Sequence, residues 1–257
     1  MKVDVFIKKI AKKAGDAVWK RFGKDGVHYM KSEFAFDVVT KADLMADKMI
    51  VTAIRKAFPS HGINAEESGW YNKDAEYIWH IDPIDGTKNF AKHIPLFGTM
   101  IALSRGGKVI LSAVYLPVNK ELFFAKVGKG AFLNGKRIHC STKKDFKKTE
   151  GFCQLEFAPR NAKFLRNLLA LKNTNHLYVA TYNCFAANGC YAAAGRKDWV
   201  VAPYGAMHDF PAPVLILQEA GCRVTDLKGK PWTLDSLEAV AANPTLHREL
   251  IKLTKSV

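Results

Sequence analysis

Between Tyr77 and about Phe132 the chain is a series of short, β-rich runs, YIWHID, TMIALSR, KVILSAVYLPV and ELFFAKVG, separated by Gly, Pro, Asn and Lys. Runs of this length and composition predict strands. Gly106-Gly107 and the Pro-Val-Asn-Lys of residues 117–120 predict hairpin turns, and tight turns join antiparallel neighbours, so this half of the chain is expected to fold on an antiparallel sheet. Two amphipathic helices precede it. Phe6, Ile7, Ile10, Ala14 and Val18 recur at helical spacing over residues 3–22, with lysines on the other faces. Ala46, Met49, Ile50, Ala53 and Ile54 do the same from about Lys41 to Phe58, and Pro59 ends that helix.

The segment STKKDFKKTE, residues 141–150, has no apolar period and four lysines, and reads as a hinge. Beyond it strands near 151–157, 177–181, 199–202, 222–226 and 239–241 alternate with helices near 160–171, 184–195 and 209–220. Such alternation predicts an α/β half with a partly parallel sheet. Two domains follow, 1–145 and 146–257.

Acidic residues are the minority, so their clustering is informative. Glu66-Glu67 follow an expected loop, HGINAEES, and fifteen residues after Glu67 comes Asp82-Pro83-Ile84-Asp85-Gly86-Thr87 at the end of an apolar run. Two carboxylates three residues apart at a strand end can converge on one point, and the proline between them stiffens the turn. Carboxylate oxygens with a free carbonyl suit Mg²⁺ or Mn²⁺. The N–H groups of Gly86 and Thr87, at the start of a possible helix, suit an anion. A metal cluster beside an anion-holding turn describes phosphoryl transfer or phosphate-ester hydrolysis.

DPIDGTKNF resembles the signature of the inositol monophosphatase superfamily of metal-dependent phosphomonoesterases. So do FPSHGINAEES at 58–68, DVVTKAD at 37–43, GKGAFLNGKRIHCS at 128–141 and MHDFPAPVLILQEAGCRVTDLKG at 207–229, in the family's order along nearly the whole chain. The resemblance implies a layered α/β/α/β/α sandwich, a homodimer and two or three Mg²⁺ ions. Glu66, Asp82 and the Ile84 carbonyl would hold one ion, Asp82, Asp85 and Asp209 a second, and Glu66 with waters a third. Thr87 and Asp43 match the pair that orients and deprotonates the attacking water, and Asp85, Gly86 and Thr87 lie where substrate phosphate is received. Asn183, Cys184 and Phe185 align with a run that lines the sugar pocket, and Ala202 stands where inositol-specific members carry a glutamate that reads hydroxyls. Losing that carboxylate and gaining Phe185 should weaken preference for a bare polyol. A polyol or sugar monophosphate leads as substrate, with histidinol phosphate and fructose 1,6-bisphosphate as alternatives. His208 stands where the family carries Trp and is expected either to fill that space or to hydrogen-bond a metal ligand.

Composition bounds the rest. Thirty-nine Lys+Arg against 24 Asp+Glu leave +15, which favours anionic partners: nucleic acid, acidic membrane or phosphorylated small molecules. A nucleic-acid-binding protein on a retired phosphatase scaffold is therefore the non-enzymatic alternative, motivated by KKDFKK and the N-terminal lysines. Five cysteines, an odd number without CxxC spacing, predict a reduced, cytoplasmic chain, and Cys184 and Cys190 read as helix packing. The longest uncharged stretch, residues 173–195, carries too many polar groups for a membrane span. Neither HExxH nor a phosphate-loop motif is present, which disfavours a zinc hydrolase or a nucleotide-binding fold.

Overall fold

The computed structural model describes residues 2–31, 38–154, 164, 166–168 and 178–255. Helices α1 (Val3–Trp19) and α2 (Lys41–Ala57) pack together on one face of an eight-stranded sheet, joined by the antiparallel pair β1 (Val27–Met30) and β2 (Val38–Thr40). The sheet comprises β3 (Gly62–Ala65), β4 (Gly69–Tyr71), β5 (Tyr77–Asp85), β6 (Gly98–Arg105), β7 (Lys108–Leu116), β8 (Glu121–Lys126), β9 (Gly130–Leu133) and β10 (Lys136–Ile138). Its order is β10-β9-β8-β7-β6-β5-β3-β4. From β5 to β10 every pairing is antiparallel, with the two expected hairpins in place. The expectation of a wholly antiparallel sheet is corrected at one point: β3 pairs parallel with β5, so the loop expected before Glu66 is a buried strand.

The period of two sets the layers. Trp79 and Ile81 of β5, Ile101 and Leu103 of β6, and Ala113 and Tyr115 of β7 face α1 and α2. Met100, Ala102, Val114 and Leu116 face the other way. Helix α1 lies so close that a side chain at Gly15 would meet the Tyr115 ring at 2.5 Å. The Tyr115 hydroxyl donates to Asp16 at 2.8 Å there.

The second half contributes β11 (Glu150–Cys153), β12 (Tyr178–Ala180), β13 (Trp199–Ala202), β14 (Arg223–Thr225) and β15 (Ala239–Ala242), in the order β12-β11-β13-β15-β14. It is mixed, as expected: β11 runs parallel to β12 and β13, and β15 antiparallel to β13 and β14. Helices α4 (Phe185–Ala193) and α5 (Pro211–Glu219) fill the space between the two sheets; α5 opens on Pro211, where a missing N–H costs nothing. Helix α6 (Pro244–Thr254), capped by Asn243, and Phe164 cover the outer face. Of the helix expected near 160–171, Phe164 and residues 166–168 are helical; the remainder, residues 155–157 of the strand expected at 151–157, and Asp37 of DVVTKAD lie outside the described residues. The layers are therefore α/β/α/β/α. The lysine-rich segment 141–150 is less free than a hinge: Phe146–Lys148 form a 3-10 turn, and Asn243 donates to the carbonyls of Ser141 and Lys143 at 2.9 and 2.8 Å.

Candidate functional site

Strand β5 delivers the first two carboxylates. Its register with β6 slips between Asp82 and Asp85, and this irregularity re-aims the strand end. Pro83 lends its carbonyl to the Thr99 hydroxyl at 2.9 Å. Gly86 then turns the chain with φ 87°, a conformation that favours glycine, and the short helix α3 (Thr87–Ala91) begins. Asp209 arrives from the segment before α5, its Oδ2 accepting the Ala206 N–H at 2.7 Å. Asp85 Oδ2 accepts the Ala186 N–H at 2.6 Å, from the first turn of α4. Oxygens of Asp82, Asp85 and Asp209 all lie within 4.8 Å of one another.

Three carboxylates this close cannot all stay charged without a cation. Burial, and then Glu66, Asp85 and Asp209, push Asp82 well up. Burial raises Asp85 to about 6, against the hydrogen bonds it accepts from Cys184, Ala186 and Phe185. Burial and Asp85 raise Asp209 to about 8. Asp82 Oδ1 is buried with no hydrogen-bond partner. An all-oxygen donor set with an orphaned carboxylate oxygen fits a hard divalent cation.

Beside this cluster stand Thr87 and Asp43. Asp43 is held by a capping box at the start of α2, where its Oδ2 accepts the Thr40 N–H at 2.8 Å. Thr87 Oγ1 lies 2.6 Å from the Ile84 carbonyl and 3.1 Å from Asp43 Oδ1. Burial raises Asp43 to about 7, opposed by the Thr40 bonds and assisted by Glu67 and Glu66. All but Asp43 border one cavity of about 540 Å³, together with Glu66, Gly86, Asn183, Cys184 and Phe185.

Several expectations are modified here. Glu66 borders the cavity but is not one of the close triad; Lys31 from β1's end bonds Glu66 and Glu67, each at 2.9 Å. Ala202 is fully buried in β13, opposite Ala239, and does not line the cavity; a methyl group is too short to reach it. Phe185 is 2% exposed and packs edge-on against Phe210 at 5.1 Å, so its ring belongs to the core. Cys184 is not merely packing: it precedes α4 with its Sγ 3.7 Å from the Asp85 carbonyl. His208 Nε2 bonds Asn64 Oδ1 at 2.9 Å rather than a carboxylate of the triad, which favours the packing role. Sequence reasoning missed Lys31, Gln154 and Tyr204, the last two on the cavity wall. One lysine among many basic residues, one amide and one phenol carry no motif that could have marked them.

The inositol monophosphatase family model matches residues 1–257. The chain belongs to the inositol monophosphatase family. It is 34% identical over 253 residues to a fructose-1,6-bisphosphatase/inositol-1-monophosphatase of Thermotoga maritima, covering 97% of this chain and 94% of that protein. It is 33% identical over 247 residues to the Nus factor SuhB of Pasteurella multocida, covering 94% and 91%. The solved extragenic suppressor protein SuhB of Bartonella henselae superposes with a TM-score of 0.88 at 30% identity, covering 96% of each chain. Membership brings with it the family's reaction, phosphomonoester hydrolysis, on a small phosphorylated substrate. Among the described residues no helix is long and apolar enough to cross a membrane.

Proposed function

We propose that this protein hydrolyses a small polyol or sugar monophosphate with the help of Mg²⁺, held by Asp82, Asp85 and Asp209 and extended by Glu66 and the Ile84 carbonyl. The observation that carries this reading is the close carboxylate triad, buried Asp82 with its orphaned oxygen and half-buried Asp85 and Asp209, beside the Thr87–Asp43 pair. When bound, the ions supply charge neutralisation for the phosphate and the leaving oxygen and make water more acidic. The chain's own residues do the rest. Thr87 Oγ1 has one proton and two acceptors, so it can take a proton from the attacking water while passing its own to Asp43 Oδ1. A carboxylate raised to about 7 is matched to that task near neutral pH. The Gly86 and Thr87 N–H groups, at the start of α3, have no acceptor within the helix and are suited to phosphate oxygens. Asn183, Gln154 and Tyr204 offer the alcohol portion neutral hydrogen-bonding groups in place of a carboxylate at position 202. This favours no particular polyol, and keeps histidinol phosphate and fructose 1,6-bisphosphate as alternatives.

The test is phosphate release with Mg²⁺ from inositol 1-phosphate, fructose 1,6-bisphosphate, histidinol phosphate and 3′-phosphoadenosine 5′-phosphate, by wild type and Asp85→Asn. Release from at least one, abolished in the variant, is expected; no release from any overturns the reading. The reading extends to a cytoplasmic homodimer of domains 1–145 and 146–257. Five free thiols suit a reducing compartment, and the boundary falls between β10 and β11. Sedimentation checks the dimer. Nucleic acid binding without activity is the alternative raised by the charge of +15 alone, and the complete set of acids counts against it; salt-steep binding without phosphate release is the discriminating result.

A further inference from the structure

Two thiols that take no part in hydrolysis meet where the layers join. Cys140 follows β10, the last strand of the large sheet, and Cys222 precedes β14 of the small one. Both are fixed to the C-terminal end of α5: the Cys140 N–H donates to the Ala220 carbonyl at 2.9 Å, and the Cys222 N–H to that of Leu217 at 2.9 Å. The backbone around Cys140 is also clamped from the other side, since a Cβ at Gly195 would stand 3.1 Å from the His139 carbonyl oxygen. Cys140 Sγ lies 3.7 Å from the position a Cβ would take on Gly221, the residue before Cys222, so the two side chains leave the end of α5 as neighbours.

The pair is unlike the other cysteines. Cys140 is half-buried and Cys222 is 8% exposed, whereas Cys153, Cys184 and Cys190 are exposed by 1% or less. The neighbouring Cys222 holds the Cys140 thiol below its ordinary value; Cys140, with burial, drives Cys222 above it. An accessible thiol with more thiolate character beside a buried partner is the arrangement in which oxidation starts at the first and is resolved by the second.

We propose that Cys140 and Cys222 form an oxidation site that a peroxide converts into a disulfide tying the large sheet to the small one. The Cys140 thiolate attacks one peroxide oxygen, the O–O bond breaks, and hydroxide leaves, giving a sulfenic acid. The Cys222 sulfur then attacks the Cys140 sulfur, the S–O bond breaks, and hydroxide leaves, taking up the Cys222 proton as water. In sum two thiols and one peroxide give one disulfide and two waters, each sulfur losing one electron. Neither residue borders the cavity, so the oxidised protein retains phosphate release.

The experiment exposes the native full-length protein to a small molar excess of hydrogen peroxide at neutral pH, caps free thiols with N-ethylmaleimide, and maps peptides without reduction. Expected are a loss of two hydrogens in mass, one cross-linked species joining Cys140 to Cys222, three capped cysteines, and reversal by dithiothreitol. In Cys222→Ser the reaction is expected to stop at a sulfenic acid on Cys140 that dimedone captures, while Cys140→Ser gives no cross-link. Five capped thiols in treated wild type, or a cross-link between any other pair, overturns the proposal. A dimedone adduct on Cys222 instead of Cys140 overturns the order of attack.

Discussion

Asp198 and Asp82 are buried to a similar degree, 5% and 2% exposed, yet their surroundings are opposite. Asp198, at the junction of the two halves, has Lys143 Nζ at 3.0 Å, the Glu150 N–H at 2.8 Å and the Ser141 hydroxyl on its oxygens. Asp82 has an oxygen with no partner and three further carboxylates acting on it. The first is a buried carboxylate completed by the protein, and its work is to hold segment 141–150 against the start of β13. The second is a buried carboxyl group left incomplete, and such a group calls for a ligand. Burial by itself separates neither; the count of donors does.

Substitutions can break this contrast. Asp85→Asn is expected to lower kcat by ~10³-fold or more through loss of a metal ligand. It should also leave the metal-free protein as stable as wild type or more so, because it removes like-charge repulsion. Steady-state phosphate release and thermal melting check both halves, and an active Asp85→Asn would erase the distinction. The triad also sets the pH response of the metal-free protein. Its acids titrate higher folded than unfolded, so the folded chain holds more protons between about pH 4 and pH 8, and stability falls as pH rises through that window. Mg²⁺ should restore it, with a gain in melting temperature larger at pH 8 than at pH 5.

Smaller effects sharpen the comparison. Thr87→Ala should cost ~10²-fold in kcat with little change in KM, and Thr87→Ser should recover most of it. Asp198→Asn should cost about 2 kcal/mol in urea unfolding while kcat stays within about twofold, the mirror image of Asp85→Asn. His208→Ala should cost about 1 kcal/mol by leaving Asn64 Oδ1 unpaired, again by urea unfolding, and should spare metal affinity.

What could be read ahead followed the range of the interaction. The hairpins at 106–107 and 117–120 are local, and they were legible because a tight turn can only return the chain beside itself. Strand β3 was not: its four residues are fixed by parallel pairing with β5, a dozen residues further on, and by themselves they resemble a loop. Asp82 and Asp85 announced themselves by spacing. Lys31 did not, because its partners Glu66 and Glu67 lie 35 and 36 residues away with no pattern linking them. Phe185 and Ala202 were assigned to the pocket by the resemblance; Phe185 does border the cavity while its ring packs on Phe210, but the pleat of β13 turns the Ala202 methyl into the core.

The sequence by itself determined the strands and helices, through the periods of two and 3.6, and pointed to phosphate-ester chemistry through Glu66, Glu67, Asp82 and Asp85 clustered among an excess of bases; their layering and the remaining site acids came with the resemblance. Only the tertiary structure decided which acids are satisfied and which wait for a cation. A carboxylate's state depends on the donors and charges within a few ångströms, and here those come from β5, α4 and the approach to α5, the last two meeting β5 from 101 residues (Asp85 to Ala186) or more further along the chain.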